Sequence, residues 1–251
     1  MDWSDDGIVL SSRPHGETSA IVELLTRSHG RHLGLVRGGR SRRHRPTLQA
    51  GNLVKADWRA RLSEHLGTWN LELIDARAAA ILDDVGALAG VGTLCALAHL
   101  LPERDPNDAL HDGARIILHH LDQSEVWPGL LVRWEFGLLD ELGFGLDLSA
   151  CAKTGSTQDL IFVSPKSGRA VSSEAGKPYT QRLLSLPRFL RETDDADDVS
   201  TSPEDVLAGF ALTGYFLEMH VFGPRDIPMP EPRGRLITRL QRQVGAGSAG
   251  K

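Results

Sequence analysis

Hydrophobic and polar residues alternate with a period of two in five segments of the first 77 residues. This alternation is typical of strands that pack one face inward and expose the other. The predicted strands span residues 7–12, 18–26, 31–37, 52–61 and 69–77. In the fourth, the inward face would carry Asn52, Val54, Ala56, Trp58 and Ala60. Five short strands with turn signals between them predict a small barrel; the strand count alone does not separate the oligonucleotide-binding fold (OB-fold) from other small barrels.

After residue 77 the periodicity becomes helical. Apolar residues recur at helical spacing in residues 108–121, 127–142 and 203–217, and a last helix is expected around 234–244. Residues 147–180 are irregular, with one candidate strand at 160–163. We therefore predict an α+β protein: an OB-fold domain at 1–77, a helical domain at 78–146, an insertion at 147–180, and C-terminal helices at 181–251 that complete the helical domain.

One uncharged run of 18 residues, 85–102, is a candidate membrane span. It contains three glycines and His99 and has only the minimum length for a span, so a buried core helix, or two short ones, is the favoured interpretation. The N-terminus is acidic where a secretory signal would be basic. These features predict a cytoplasmic protein with no membrane partner.

The loop after the third strand, residues 37–45, is strongly basic, and we call it the basic loop. Its arginines are Arg37, Arg40, Arg42, Arg43 and Arg45, and no Asp or Glu occurs between Glu23 and Asp57. The planar guanidinium fork suits phosphate oxygens. A solvated or disordered turn is the alternative reading of a lone charge run. The flanking strands favour a nucleic-acid surface instead, because further basic residues would extend it: Arg31, Lys55, Arg59 and Arg61.

The charge distribution agrees with a basic N-terminal module joined to an acidic body. The whole chain has a net charge of −5, yet residues 1–77 hold 12 Lys and Arg against 9 Asp and Glu. The only cysteines are Cys95 and Cys151, which excludes a disulfide framework and a zinc site made of four cysteines.

No arrangement of residues predicts catalysis or a cofactor. His119 and His120 are adjacent, so on a helix they point about 100° apart and do not form the ligand pair of a zinc protease. No P-loop and no nucleophile-elbow motif occurs. The acidic run at residues 194–198 is interpreted as a solvated loop. Besides DNA binding, RNA binding stays open, because barrels of this kind serve both polymers. An enzyme of unknown class is the less favoured alternative. Trp58 and Trp69 fall on inward faces, so we expect them in the core and expect binding to be led by phosphates.

Several short motifs, taken in order, resemble those of the RecO family of bacterial recombination mediators over nearly the whole chain. They are residues 7–10 (Gly-Ile-Val-Leu), Gly16-Glu17, Thr26, Gly38-Gly39-Arg40 ahead of 48–51 (Leu-Gln-Ala-Gly), 136–143 (Phe-Gly-Leu-Leu-Asp-Glu-Leu-Gly), Asp147-Leu148 and Cys151. The resemblance implies an OB-fold barrel, a helical domain and a zinc-ribbon-like insertion. It also implies binding of single- and double-stranded DNA, annealing of complementary strands, and help to RecA, together with RecR, on DNA coated with single-strand-binding protein.

The insertion departs from the family pattern of paired C-x-x-C-G motifs. The corresponding residues are 151–155 (Cys-Ala-Lys-Thr-Gly) and 172–176 (Ser-Ser-Glu-Ala-Gly), so Thr154, Ser172 and Ala175 replace three of the four ligands. A structural zinc takes four nitrogen or sulfur ligands, so we predict an insertion without metal.

The family also implies a partner with an acidic, apolar-ended peptide: the C-terminal tail of single-strand-binding protein. Such a tail needs an apolar groove with a cation at its rim. In residues 78–146 the basic residues are Arg104, Arg115 and Arg133. Arg104 is interpreted as solvated, whereas Arg115 and Arg133 flank apolar residues and are the predicted partner-binding residues; each could instead be a helix-surface charge whose stem covers a neighbour.

Overall fold

The computed structural model of the protein describes residues 1–191 and 201–248. The chain forms two compact units, Met1–Asp122 and Gln123–Lys251. The predicted acidic loop at 194–198 lies outside the described residues. The predicted domain boundaries at 77/78, 146/147 and 180/181 stay predictions.

The first unit is built on a five-stranded barrel. Its strands are β1 (Asp2–His15), β2 (Ser19–Thr26), β3 (Gly30–Val36), β4 (Leu53–Arg59) and β5 (Thr68–Asp75). They form a closed barrel in the order β1-β2-β3-β5-β4, in which β3 and β5 pair in parallel and the other neighbours pair antiparallel. The predicted OB-fold barrel is confirmed.

Alternation along the strands builds the barrel core. In β4, Val54, Ala56 and Trp58 are buried while Lys55 and Arg59 are exposed, as the sequence pattern predicts. Trp58 and Trp69 are confirmed as core residues, with 2% and 5% of their surface exposed. Each indole N–H donates to a backbone carbonyl, Trp58 to Leu66 and Trp69 to Val22, so burial leaves neither donor unsatisfied.

Strand β1 begins at Asp2, five residues before the predicted start. The acidic N-terminus continues the strand because Asp2 and Asp6 point outward and pair in register with Arg59 and Lys55 of β4. Charged residues that alternate with half-buried ones are compatible with a strand on a solvated face, and this N-terminal part of the strand is missed when only apolar runs are counted.

Three helices complete the first unit: α1 (Arg77–Ala80), α2 (Val85–Ala98) and α3 (Asp108–His119). The Asp84 side chain accepts from the amides of Gly86 and Ala87 and so caps α2. Ten of the 14 residues of α2 are buried, which confirms a core helix in the uncharged run. Asn107 caps α3 by accepting from the Leu110 amide, 2.8 Å away.

The second unit is mainly helical. Its elements are α4 (Trp127–Glu141), β6 (Leu160–Val163), β7 (Ala170–Ser172), α5 (Ser173–Gly176), β8 (Leu184–Ser185), α6 (Pro203–Leu217) and α7 (Glu231–Ser248). Strands β7, β6 and β8 form a small three-stranded sheet, in the predicted insertion and just beyond it. The Ser202 hydroxyl caps α6. Helix α7 is longer than predicted at both ends: it includes Pro232 in its first turn, where proline is tolerated, and extends past Val244.

A buried ion pair joins the helices of the second unit. The Arg233 guanidinium of α7 donates two hydrogen bonds to the Glu135 carboxylate of α4, at 2.8 and 2.9 Å. It also donates to the Phe210 carbonyl of α6, and Thr213 donates to Glu135. Glu135 is fully buried and Arg233 nearly so, so these contacts satisfy charges that burial would otherwise penalise.

The stretch Pro203–Arg225, which comprises α6 and the two short turns after it, is long and apolar enough to cross a membrane by length and composition alone. Half of its apolar window is buried inside the protein. Phe210, Leu212, Phe216 and Leu217 are among its buried residues, so it serves as a core helix of the second unit.

Candidate nucleic-acid interface

The basic loop is an ordered series of turns between β3 and β4. Gly38 has a positive φ of 65°, which suits glycine because it has no Cβ. A Cβ at Gly39 would lie 2.8 Å from the Cβ of Ala20, so the loop backbone packs directly on β2. Further on, the amides of His44 and Arg45 donate to the Ser41 carbonyl and the amide of Leu48 donates to the His44 carbonyl. The buried Leu48 side chain then inserts into the barrel core.

Arg40 fastens this loop to the β1–β2 hairpin. Its guanidinium donates to the carbonyls of Gly16 and Glu17, at 2.8 and 2.9 Å, and its amide donates to the Thr18 carbonyl. These bonds bring the basic loop and the hairpin turn to one end of the barrel. Arg40 is therefore an anchor of the loop as well as a positive charge on it.

The other four loop arginines are exposed. Within residues 1–191 and 201–248, the side chains of Arg37, Arg42, Arg43 and Arg45 have no ion-pair partner. Unpaired guanidinium groups on an ordered loop present a concentrated positive potential that attracts phosphates.

The hairpin adds two basic residues that sequence reasoning missed. Arg13 and His15 are exposed at the end of β1, next to the turn that Arg40 holds. They lie 22 or more residues before the basic loop in sequence, and only the register of β1 against β2, continued to β3, places them at the same end of the barrel. A predicted hairpin with its turn at Gly16 was the signal that could have identified them.

The outer face of β4 has mixed charge, which corrects the prediction that it continues the basic loop. Lys55 lies between Asp6 of β1 and Glu72 of β5, and Arg59 lies opposite Asp2. Asp57 sits between them in β4; hydrogen bonds from Ser4 and Asn70, and the nearby Lys55 and Arg59, lower its pKa. Arg61 is exposed in the β4–β5 loop. Carboxylates on this face would repel phosphates, so Lys55 and Arg59 do not share the environment of the loop arginines.

Arg31 is committed to an internal cluster. Its guanidinium pairs with Glu23, approaches Glu103 at 3.8 Å, and donates to the Leu101 carbonyl at 2.7 Å. Only 15% of its side chain is exposed. The sequence predicts that Arg31, at the start of β3, binds phosphate. In the structure its guanidinium instead contacts Glu23 of β2 and the chain after α2, at Leu101 and Glu103.

Arg104 is exposed, in line with the solvated interpretation, but it is also hydrogen-bonded. Its guanidinium donates to the carbonyls of Ser63 and His65 and so holds the β4–β5 loop. Arg104 adopts a positive φ of 63°, an uncommon conformation for this residue type.

A separate groove lies where β4 begins and β5 ends. It has a volume of about 490 Å³ and an apolar part formed by Leu53, Ile74 and Ile116. Its other lining residues are Asp75, Arg77, Asp112, Arg115, His119 and His120. Both acids are paired, Asp75 with Arg77 and Asp112 with Arg27. Arg115 is exposed and unpaired among the described residues, so the lining of the groove combines apolar side chains with an unpaired cation.

Arg133, the other predicted partner residue, lies on α4 in the second unit. Its guanidinium donates twice to the Phe189 carbonyl, at 3.1 and 2.8 Å, and lies 5.9 Å from the centre of the Phe189 ring. Arg133 is exposed and holds the segment before residue 191 against α4, which uses two of its five N–H donors.

The four positions that the family pattern aligns with zinc ligands are Cys151, Thr154, Ser172 and Ala175, which offer one sulfur among them. The Cys151 sulfur accepts from the Ser172 amide at 3.3 Å, so the two motifs still meet. Burial raises the pKa of the Cys151 thiol, but hydrogen bonds involving Ser172 and Thr154 outweigh it and lower the pKa to about 6. Within the described chain no group of three His, Cys, Asp or Glu residues is arranged to hold a metal ion. One sulfur with Thr154, Ser172 and Ala175 does not fit tetrahedral zinc.

A closed five-stranded barrel with an ordered loop of exposed, unpaired arginines defines the class: an OB-fold protein with a basic surface at one end of the barrel. Two protein-family models match the chain. The family model described as Recombination protein O N terminal matches residues 1–77, and the one described as Recombination protein O C terminal matches residues 82–226. The chain belongs to the RecO family, as the sequence motifs predict.

Curated relatives show the same match over nearly the full length. Proteins named DNA repair protein RecO are 53% identical in Methylobacterium nodulans over 251 residues, covering 100% of both chains, and 52% identical in Methylorubrum populi over 239 residues, covering 94% of this chain and 97% of the relative. The relative of that name in Mesorhizobium japonicum is 50% identical over 242 residues, covering 96% of this chain and 94% of its own.

Proposed function

We propose that the protein is a recombination mediator in DNA repair. In this proposal it binds single- and double-stranded DNA, anneals complementary strands and, with RecR, helps load RecA onto DNA coated with single-strand-binding protein. It acts in the cytoplasm, associated with the nucleoid, by binding and not by catalysis. The observation that carries the DNA-binding part is the cluster of exposed, unpaired arginines on the basic loop. Membership of a family whose curated members are named DNA repair proteins supports the wider role.

The proposed DNA contacts are expected to contribute unequally to the affinity for DNA. Arg37, Arg42, Arg43 and Arg45 are the primary phosphate ligands, because they are exposed and unpaired. Arg13 and His15 extend the same end of the barrel, and Arg40 orders the loop that carries the ligands. Arg61 is a peripheral contact, and the mixed charges around Lys55 and Arg59 weaken theirs. Arg31 acts from inside the unit, where it supports β3.

The loop variant Arg42→Ala, Arg43→Ala, Arg45→Ala tests this proposal. These substitutions remove three charges and leave the Arg40 anchor in place, so we expect the barrel to stay folded. Each lost phosphate contact reduces the slope of log K against log salt by about 0.7 for a single strand and about 0.9 for a duplex. The loop variant should therefore lose about 2 units of slope in titrations of labelled single-stranded DNA at several salt concentrations.

A matched control is Lys55→Ala, Arg59→Ala, Arg61→Ala, which also removes three charges. It should reduce the slope less than the loop variant, since Lys55 and Arg59 lie beside carboxylates. Equal slopes for parent and loop variant, with both folded by circular dichroism, would refute the DNA surface on the basic loop. Competition by unlabelled RNA of the same length distinguishes the RNA-binding alternative: RNA that competes better than DNA would favour it.

The Arg115 groove is the proposed site for the C-terminal tail of single-strand-binding protein. Apolar residues at the end of such a tail would pack on Leu53, Ile74 and Ile116, and its acidic residues would meet Arg115. Arg133, predicted with Arg115, is occupied by the Phe189 carbonyl, so its contribution would be indirect.

Charge reversal at the groove tests the tail site. Arg115→Glu should weaken binding of a tail peptide at least tenfold in calorimetry, because it sets an acid against an acidic ligand, and should leave binding of naked DNA unchanged. The control Arg133→Glu should affect the stability of the second unit more than peptide affinity. Tail binding that survives Arg115→Glu with unaltered affinity means that the tail binds elsewhere.

A further inference from the structure

Helix α7 carries a second basic surface, unrelated to the barrel. Arg235, Arg239 and Arg242 are all exposed. At 100° per residue, their positions fall within about 60° of one another around the helix, so the three side chains form one stripe along it. We call them the α7 stripe. No Asp or Glu follows Glu231 in the chain, so the stripe has no acidic residue after it in sequence.

The opposite side of α7 holds the stripe in place. Leu236 and Leu240 are buried, and Arg233 makes the buried ion pair with Glu135. The helix is thus anchored by a hydrophobic contact and by charge-assisted hydrogen bonds, while its arginines extend into solvent. A rigid backbone reduces the entropy lost when the stripe binds a ligand.

The α7 stripe is long enough to contact several phosphates. Residues 235 and 242 are separated by about 10 Å along the helix axis, at 1.5 Å per residue. Over a similar length of its axis, one strand of duplex DNA carries about three phosphates, at about 3.4 Å of axial rise each. The stripe therefore presents a line of positive charge to a short run of phosphates, without a one-to-one match.

The residues between the arginines favour nucleic acid over a membrane. Thr238, Gln241 and Gln243 are exposed, and they are neutral hydrogen-bonding side chains that suit sugar and phosphate oxygens. A helix that lies on a membrane needs apolar side chains on its free face, but the large apolar residues of this helix are buried or half-buried on the other side.

Among the residues that the structure describes, Glu231 is the acid that pairs with the stripe. Its carboxylate lies 3.4 Å from the Arg235 guanidinium, one helical turn away, and both side chains are more than 60% exposed. An exposed pair of this kind contributes little and is weakened by salt, so a phosphate can displace it.

We propose that the α7 stripe binds the phosphate backbone of a nucleic-acid strand independently of the basic loop, so that one chain holds two strands. That the ligand is DNA rests on the proposed function; the site itself shares no residue with the barrel. Annealing of complementary strands requires two strands on one protein, and two separate phosphate surfaces provide this.

The experiment uses the full chain and two unlinked 12-nucleotide strands of non-complementary sequence, each with its own fluorophore. The variants are the loop variant, Arg235→Ala with Arg239→Ala and Arg242→Ala (the stripe variant), and all six substitutions together. The parent should bind two strands per chain, and the loop and stripe variants one each. In the loop variant, the remaining strand should lose about 2 units of salt slope when the stripe is also removed.

Two controls separate charge from packing and from the barrel site. Thr238→Ala with Gln243→Ala changes the two exposed neutral residues that flank the stripe, without changing charge, and should retain two strands. Glu231→Gln releases Arg235 and should raise the affinity measured in the loop variant about twofold. A stripe variant with the stoichiometry and salt slope of the parent would overturn the inference, and so would a parent that binds one strand. If instead the loop variant matches the parent while the stripe variant loses a strand, the barrel site fails and the α7 site stands.

Discussion

At the scale of single residues, the buried Glu23 carboxylate pairs with Arg31 and His99. The sequence alone predicts that Arg31 binds a ligand instead. The His99 ring is held between two acceptors: Nδ1 lies 2.6 Å from the Cys95 carbonyl oxygen and Nε2 lies 2.7 Å from the Glu23 carboxylate. Each contact requires a proton on its own ring nitrogen, so the two contacts together stabilise the doubly protonated imidazolium. The hydrogen bond to Glu23 raises the pKa of His99. Burial raises the pKa of Glu23, but His99 and Arg31 outweigh burial and lower it to about 2.

This cluster predicts a pH dependence of stability that is removed by His99→Gln. A raised histidine pKa stabilises the fold below the unfolded value of about 6.5, and this contribution is lost as pH rises through the folded pKa. The stabilisation that comes from the lowered pKa of Glu23 is present above about pH 4.5 and is lost as pH falls towards 2. The free energy of unfolding of the parent, relative to the variant, should therefore be highest between about pH 4.5 and 6.5.

Urea denaturation of parent and variant at pH 5.5 and 8.5 measures the difference. We expect it to be about 1 kcal/mol larger at pH 5.5, because solvent screens the partly exposed His99. His15→Gln is the matched control, since His15 is exposed and has no described carboxylate partner. A difference that is the same at both pH values would contradict the charged state of His99. Arg31 and Glu103 belong to the same cluster.

At the scale of elements, helix α7 is held by an interior ion pair, besides its buried leucines, that its sequence does not reveal. Arg233 and Arg235 are two residues apart and identical in type, yet Arg233 is 6% exposed and Arg235 is 62% exposed at the side chain. The helical period alone determines which arginine turns inward, and the inward one finds Glu135, which lies 98 residues earlier in the chain.

Replacing these two arginines one at a time distinguishes the interior contact from the surface charge. Arg233→Met should cost about 3–5 kcal/mol in free energy of unfolding, because it leaves the Glu135 carboxylate buried without its partner. Arg235→Met on the exposed face should change stability by about 0.5 kcal/mol or less. Urea denaturation followed by circular dichroism measures both. If the two variants are equally stable, the buried pair does not hold α7.

Element boundaries follow from the sequence wherever one period dominates. The four later barrel strands were predicted to within two residues at each end, since each alternates between a core face and a solvent face. The start of β1 was missed because its outward residues are acidic and its inward ones are few. The three-stranded sheet of the insertion was predicted only at Leu160–Val163, because β7 and β8 have three and two residues, too short for a period to be recognised.

At the scale of the whole molecule, sequence order predicted the barrel and the helices but not which charges meet. The basic loop was predicted because its five arginines lie within nine residues of the sequence. Arg13 was missed, and Arg31 was given the wrong surroundings, because their neighbours are set by strand pairing and by the return of the chain after α2. Lys55 shows the same limit: its strand was predicted correctly, but the carboxylates of the two neighbouring strands were not considered.

The composition of the basic loop determines the thermodynamic character of its contacts. The loop contains no Phe, Trp or Tyr, so a strand bound there buries little apolar surface, and the heat-capacity change should be close to zero. The driving force is then the release of condensed cations into solution, which is an entropy gain and is insensitive to the bases. Because no base would be held, a strand bound in this way would be able to slide along its own length. If the protein holds DNA as proposed, two strands would be able to shift past each other until their pairing register is found, without release of either.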